Sequence, residues 1–449
     1  MNGLTSSAFD NFTGVKQGEP LSPLLFLFFI NDITEELRNS DGMDTCESVD
    51  INGLLIHLLL FADDTVLFGK TPTTLQYLLD KLMLYCKKWN IEVNTNKTQV
   101  VVFRRGWQPI EHTFYYDNKA LDIVNSYVYL GMLLHYNGKF RQTQKRVSEQ
   151  GNKALASLLN TIRKFYITVD QQCAMFDSLV SSVINYGSEI WGFHHAKDVE
   201  TIHNKFCRFA LKVRKNTPVS FVIGELGHLP MHIVRKQRIL KYWLKIVINK
   251  PIFVYDVYKL LHNDANSGKT NWASNVRDLL FDLGFNNMWF DQDNIVDSFD
   301  ILNTRLLDQF YQTRWSSVEN TEKLHLYKTI KTDFCLEQYL IKGLNMTMLS
   351  QLRSGTLKLN IETGRYTNIP HAQRICTCCQ MNVIENEYHF LLICPVYRHL
   401  RLKYLPKYYC SWPNKNKLCS LLKTNSRSLL YKLSCFLRDS WRLRSQLIT

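Results

Sequence analysis

Apolar positions follow two different periods along this chain, and the change between them falls near residue 140. In the front, Ser22-Pro23 reads as a helix start, serine capping and proline taking the first helical position, and the spacing carries that helix through Leu24–Leu37. Asn39, Asp41, Gly42 and Asp44 then read as a turn. The apolar runs Leu54–Phe61 and Thr65–Phe68 flank Ala62-Asp63-Asp64 and predict the two strands of a hairpin. After Thr71-Pro72, Leu75, Leu78, Leu79, Leu82, Cys86 and Trp89 fall at helical spacing, which gives a helix with one apolar face for the sheet. Gln99–Phe103 and Ser126–Leu130 are further strand candidates. From Arg141 the pattern is almost wholly helical, with amphipathic segments over 142–166, 169–186 and 199–213 whose apolar residues read as core. Residues 250–300 mix Asn, Asp and aromatics without a clear period and read as irregular or short helices. The fold class is therefore α+β: a mixed front followed by a mostly helical remainder.

Composition fits a folded chain of several parts, with 449 residues, 45% of them hydrophobic and 21% charged. The longest apolar runs, Leu24–Ile30 and Leu54–Phe61, fall short of the ~20 residues that a membrane span needs. No basic and apolar leader follows Met1, so the expectation is an intracellular protein, nuclear or cytoplasmic, not secreted and with no membrane partner. Its twelve cysteines then belong to a reducing compartment, where spacing matters more than an even count. Charge changes the picture more. Residues 1–150 hold 14 Lys/Arg against 17 Asp/Glu, whereas residues 341–449 hold 17 against 4. A near-neutral front and a strongly basic back suggest a polyanion held by the C-terminal part, the plainer alternative being a solvated basic surface. Arg398, Arg401, Lys403 and Lys407 are candidate phosphate contacts, and Tyr404, Tyr408, Tyr409 and Trp412 offer stacking faces for unpaired bases.

Asp63-Asp64 is the strongest chemical feature of the front. Two charged residues between strand-forming runs belong at the hairpin tip, because burying them would cost several kcal/mol. Adjacent carboxylates repel and fit best where divalent cations compensate them, and in-line nucleotidyl transfer uses two Mg²⁺ roughly 3.5–4 Å apart. Alone, an Asp-Asp pair is more often a solvated turn. Here it has company in order along the chain: Gly14-Val15-Lys16-Gln17-Gly18-Glu19-Pro20-Leu21-Ser22-Pro23-Leu24 upstream, then Trp89-Asn90-Ile91-Glu92-Val93-Asn94-Thr95-Asn96-Lys97-Thr98 with Val101-Val102-Phe103, and Tyr127-Val128-Tyr129-Leu130-Gly131 downstream. With Phe61-Ala62-Asp63-Asp64, these segments resemble those of reverse transcriptases, and the set is most similar to the non-LTR (LINE-type) retrotransposon group over roughly residues 10–135.

That resemblance implies a partial right-hand polymerase palm that takes an RNA template, a DNA primer or target, deoxynucleotides and two Mg²⁺. It implies nucleotide and template contacts for Gly14, Lys16, Gln17, Gly18 and Pro20, and metal ligation by Asp63 with Asp64 in support. Lys97 would be a cation near the leaving pyrophosphate, and Tyr129, Leu130 and Gly131 would form the primer grip. Chemistry agrees in part, since glycines allow close backbone approach and Gln17 can hydrogen-bond a base or sugar edge. One departure matters. The family's first catalytic Asp lies on a separate strand well upstream of the glycine-rich segment, and here Asp10 stands too close to Gly14 and reads as a loop residue. The sequence therefore reads as the C-terminal part of an RNA-directed DNA polymerase, a nucleotidyltransferase whose catalytic set is incomplete and which is expected to be inactive alone. A non-catalytic nucleic-acid-binding remnant of a retroelement is the alternative, and a zinc-stabilised structural protein a third.

Near the C-terminus, Cys376-x2-Cys379-x9-His389-x4-Cys394 offers four ligands suited to tetrahedral Zn²⁺, with Cys378 able to stand in for Cys376 or Cys379. Cys-x2-Cys closes a tight knuckle, His-x4-Cys spans about one helical turn, and Phe390, Leu391 and Leu392 can pack beneath the ion. The stretch from Asn360 to Pro395 also resembles the C-terminal Cys/His segment of LINE-type proteins. The remaining cysteines are scattered and read as buried thiols, and most of the thirteen histidines have no local ligand partner. The expected organisation is a partial palm over 1–140, a helical thumb over 141–215, a helical connecting region over 216–365, a zinc-binding segment over 366–400 and a basic tail over 401–449.

Overall fold

The helix expected over residues 22–37 breaks in two. In the computed structural model, which describes residues 14, 18–38, 49–51, 53–106, 110–293, 295, 298–341 and 347–448, α1 spans Ser22–Phe29 and α2 spans Ile33–Arg38. Asp32 causes the break: its carbonyl accepts from the N–H groups of Glu35 and Glu36, opening α2, while the Tyr85 hydroxyl donates to its carboxylate at 2.6 Å. The expected turn at Asn39, Asp41, Gly42 and Asp44, like Asp10, lies outside the described residues.

The chain divides into two units, Met1–Phe140 with Lys250–Ser274, and Arg141–Asn249 with Asn275–Thr449. In the first, β1 (Val49–Ile51) pairs antiparallel with β2 (Leu54–Ile56), and β3 (Leu58–Phe61) with β4 (Asp64–Leu67). The single apolar run over 54–61 is thus two strands, parted at His57, whose carbonyl accepts from the Phe68 N–H. Next comes α3 (Pro72–Lys88), capped by the Thr71 hydroxyl, which accepts from the Thr74 N–H at 3.2 Å. A three-stranded sheet follows in the order β5 (Gln99–Val100), β7 (Lys119–Ile123), β6 (Phe114–Tyr116), and then the hairpin β8 (Ser126–Tyr129) and β9 (Met132–His135). Of the strand expected over 99–103 only two residues join a ladder. The β6–β7 hairpin went unread in the sequence, although Asp117 and Asn118 both take the positive φ that its two-residue turn demands.

The first unit is held together by α3. Leu78, Leu79, Leu82, Tyr85 and Cys86 form its buried stripe, against Ile33 and Leu37 from α2 and Val100, Phe114, Tyr116 and Leu121 from the sheet. Leu58, Leu60 and Leu67 join that core from the β3–β4 hairpin and fix its base. Each fully buried leucine contributes about 1.5–3 kcal/mol, so the hairpin tip stands on a rigid support.

Two expectations of irregularity are corrected. Ile252–Asn266 and Trp272–Leu283 are regular helices within 250–300, where aromatic and polar residues obscured the helical period. The basic end is no loose tail, because Arg398–Tyr404, Lys407–Cys410, Lys415–Leu422 and Arg427–Ile448 are helices, the last burying Leu430, Leu433, Phe436 and Leu437. The helix read over 169–186 is interrupted by a π turn at Asp177–Ser181. No helix among the described residues is long and apolar enough to cross a membrane.

Buried charge organises the second unit. The Glu225 carboxylate, on the helix Val219–Leu226, accepts from Arg353 at 2.5 Å and from the Tyr339 hydroxyl at 2.7 Å, all three residues being buried. Arg353 also donates to the Leu422 carbonyl at 2.6 Å and faces Glu337, which pairs with Lys331 at 2.5 Å. Breaking one side of such a pair leaves an uncompensated charge in the interior. Glu225→Gln should therefore destabilise this unit by about 3–5 kcal/mol, read as a lowered midpoint in urea denaturation, whereas Arg438→Ala, removing an exposed arginine of the same unit from its pair with Asp439, should leave the midpoint within error.

Candidate functional site

Ala62 and Asp63 form the two-residue loop of the β3–β4 hairpin, Phe61 pairing with Asp64 across its base. Ala62 takes φ +53°, so the tip is tightly wound, and both carboxylates are exposed. Solvent lowers the cost of their repulsion and leaves their oxygens open to a hard cation. Among the described residues, no third Asp, Glu, His or Cys joins Asp63 and Asp64 in a metal-sized cluster. Burial, and then the charge of the Asp64 carboxylate, push the Tyr129 phenol above its ordinary value. Leu130 and Gly131 form the β8–β9 loop with φ +45° and +79°, conformations that suit glycine and strain leucine.

Lys97 sits in a turn in which its N–H donates to the Asn94 carbonyl. Its exposed side chain borders an open depression lined also by Gln99, Ser126, Tyr127 and Val128, so it belongs to the neighbourhood of β8. Gly14 and Gly18 take φ +80° and +86°, which L side chains rarely adopt, and Pro20 is exposed just before α1. Lys16 and Gln17 lie outside the described residues.

The C-terminal cluster is built from two local turns. Ile375 bridges Ile384, and the Cys376 N–H donates to the Val383 carbonyl, closing a short hairpin around Cys379, with Asn382 at φ +52°. His389–Ile393 is a π turn, closed by the Cys394 N–H donating to the His389 carbonyl at 2.8 Å, which sets His389 and Cys394 on the same side. The ligand atoms of Cys376, Cys379, His389 and Cys394 all lie within 4.8 Å of one another. Cys379 Sγ stands 3.4 Å from His389 Nε2, close to the ~3.5 Å edge of a tetrahedron with Zn–S and Zn–N bonds of usual length. Cys378 belongs instead to a second grouping with Cys376 and Glu385, whose ligand atoms also lie within 4.8 Å of one another. The hydrogen bond shared with Cys394, and then burial, push the Cys376 thiol up to about 11.

The support of this cluster was not visible in the sequence. Glu385, buried between the two turns, accepts from Arg444 at 2.6 and 2.8 Å and from the Asn360 N–H at 2.8 Å. Arg401 is buried too and donates to the carbonyls of Cys394 and Ile393, so it is a brace for a ligand residue and no phosphate contact. Phe390 and Leu391 are fully buried, with Trp441 edge-on to Phe390. Tyr409 is buried, which removes it as a stacking face, and the half-buried Tyr404 ties its hydroxyl to Asp439. Tyr408 and Trp412 are exposed, beside the exposed Arg398, Lys403, Lys407 and Lys415.

Residues 1–134 match the family model described as reverse transcriptase (RNA-dependent DNA polymerase). A putative uncharacterized transposon-derived protein of Caenorhabditis elegans is 30% identical over 151 residues, covering 32% of this chain and 52% of that protein. The Pol polyprotein of a type-2 retrotransposable element of Drosophila melanogaster is 33% identical over 96 residues, 21% of this chain and 8% of that protein. A probable RNA-directed DNA polymerase from transposon BS of the same fly is 29% identical over 239 residues, 50% of this chain and 25% of that protein. The last likeness is too long to be confined to residues 1–134 and reaches into the helical part. The chain spans about half the length of the first of these relatives and less of the others.

The cluster geometry generates a direct expectation. His389→Ala should remove one equivalent of zinc from the purified chain and expose residues near 370–400 to proteolysis, because such small segments gain much of their folding energy from the ion. Cys410→Ala, outside the cluster, should change neither reading. Metal analysis with limited proteolysis checks both.

Proposed function

We propose that this chain, whose first 134 residues carry reverse-transcriptase sequence of the non-LTR retrotransposon type, is part of an RNA-directed DNA polymerase and holds an RNA template with its DNA primer. The observation that carries this reading is the exposed Asp63–Asp64 pair at the β3–β4 tip, inside the stretch that matches the reverse-transcriptase family model. A primer gripped by Tyr129, Leu130 and Gly131 would present its 3′ end to metal ions held by Asp63 and Asp64. Exposed carboxylate oxygens suit Mg²⁺, which bound there would polarise the transferring phosphoryl group. Lys97, beside β8, is suited to stabilise charge on the leaving pyrophosphate. The loop from Gly14 to Pro20, with Lys16 and Gln17, would meet nucleotide and template.

On this reading residues 1–140 form the palm portion, 141–215 the thumb, 216–365 a connecting region except for the part that folds with the palm, 366–400 a zinc-binding segment and 401–449 a basic helical end. Arg398, Lys403, Lys407 and Lys415 with Tyr408 and Trp412 form the proposed nucleic-acid surface. A non-catalytic nucleic-acid-binding role is the second reading, favoured by the Asp63–Asp64 pair standing without a third ligand among the described residues.

Primer extension tests whether the chain is catalytic on its own. The 449-residue chain alone, given a primed RNA template, deoxynucleotides and Mg²⁺, should add no nucleotide, because among the described residues no third ligand joins Asp63 and Asp64 to close a two-metal cage. Extension that disappears in Asp63→Ala would establish the complete enzyme instead. Nucleic-acid binding itself should be salt-dependent, log K falling with log salt at a slope of roughly −4 to −7 for about five to eight neutralised phosphates. Replacing Arg398, Lys403, Lys407 and Lys415 together by Ala should flatten that slope by about 3–4. Arg401→Ala should act differently, lowering stability without a specific change of slope.

A further inference from the structure

Asp177 opens the π turn at Asp177–Ser181, within the mostly helical second unit. Across from it, His203 and Cys207 stand four apart on one face of the helix Lys197–Ala210, both fully buried. His228 reaches them from just beyond the end of the helix Val219–Leu226. His203 Nε2 is 2.8 Å from His228 Nδ1 and 3.2 Å from Cys207 Sγ, and the three ligand atoms lie within 4.8 Å of one another. His228 Nε2 stands 3.2 Å from the Asp177 carboxylate.

Hydrogen bonding satisfies this arrangement poorly. A ring nitrogen has one in-plane direction, for either a proton or a lone pair, and His203 Nε2 is approached by two partners at once. The opposite nitrogen, His203 Nδ1, is buried with no hydrogen-bond partner. A single cation among the three atoms uses one lone pair from each. The change required is small, since the 2.8 Å between the imidazole nitrogens must open by about 0.5 Å to reach the edge of a tetrahedron with ordinary metal–nitrogen bonds. The Asp177 carboxylate lies 3.2 Å from His228 Nε2 without hydrogen-bond geometry, and a small turn of the His228 ring toward an ion would let it accept from that far nitrogen as an orienting partner. Asp177 is half exposed while His203 and Cys207 are not, so the cluster has an entry from solvent on that side.

We propose that His203 Nε2, Cys207 Sγ and His228 Nδ1 form a second metal site, taking a divalent ion of zinc's class with water in the fourth position and Asp177 orienting His228. The Cys207 thiol gives its proton to solvent as the ion binds. Donor type selects the ion, as two imidazoles and one thiolate suit Zn²⁺ or Co²⁺ and not Mg²⁺. The site depends neither on the polymerase reading nor on the cysteine-rich cluster near the C-terminus.

Metal analysis and cobalt substitution of the full chain test it. The chain should carry two equivalents of Zn²⁺, and Cys379→Ser and His228→Gln should each remove one. Cobalt-loaded Cys379→Ser should keep a thiolate charge-transfer band of about one third the intensity lost with the three-cysteine site, since one thiolate remains against three. Adding His228→Gln should abolish it. A wild-type content of one equivalent that His228→Gln leaves unchanged would overturn the proposal. If His228→Gln fails to fold, the cobalt spectrum of Cys379→Ser decides, and the absence of any thiolate band overturns the site. Loss of metal in His228→Gln but not in Cys379→Ser would uphold this site and refute the C-terminal one.

Discussion

A carboxylate withdrawn from water must meet a cation, and that constraint decides which helices of the larger unit lie together. Glu225 and Glu385 are both buried, and each is met by an arginine far along the chain, Arg353 and Arg444. The first pair draws together the helix Val219–Leu226, the stretch around Tyr339 and Lys331, and the end of Lys415–Leu422. The second fastens the cysteine-rich turns to the last helix of the chain. Hydrophobic packing is non-directional and would tolerate slippage between such helices, whereas a two-pronged guanidinium–carboxylate contact fixes position as well as proximity.

What the sequence disclosed, and what it hid, follows from the range of the interactions involved. The Asp63 tip, the α3 stripe and the knuckle of Cys376 and Cys379 depend on neighbours within a few residues, so spacing alone exposes them. Arg353, Arg401 and Arg444 belong to a basic region by count and to the interior by structure, because their partners lie from 7 to 128 residues away. Counting charge therefore overstated the surface available to a polyanion. His203 and His228 were passed over for the same reason, being separated by 25 residues and a helix. The helices within 250–283 escaped because their polar and aromatic residues are mixed around the whole circumference.

The two units are held in different ways. In the stretch that matches the reverse-transcriptase model, hairpins stand on a single helix, so their tips are held by a small apolar core. In the helical remainder, position is held by ion pairs and by clusters of cysteine and histidine, each cluster lying against a π turn. A segment there can change its surface widely as long as those few anchors persist.

The π turn at His389–Ile393 gives the spacing between His389 and Cys394 a meaning beyond a motif. An α-helical backbone advances about 100° per residue, so five residues would carry the second ligand well past the first, and the wider turn brings it back. The four intervening residues therefore act as a gauge of winding. Phe390, Leu391 and Leu392 are buried as well, so the same residues that set the spacing also pack the core beneath the cluster. Gain or loss of one residue there would swing Cys394 out of reach of Cys376, Cys379 and His389, although all four side chains would still be present.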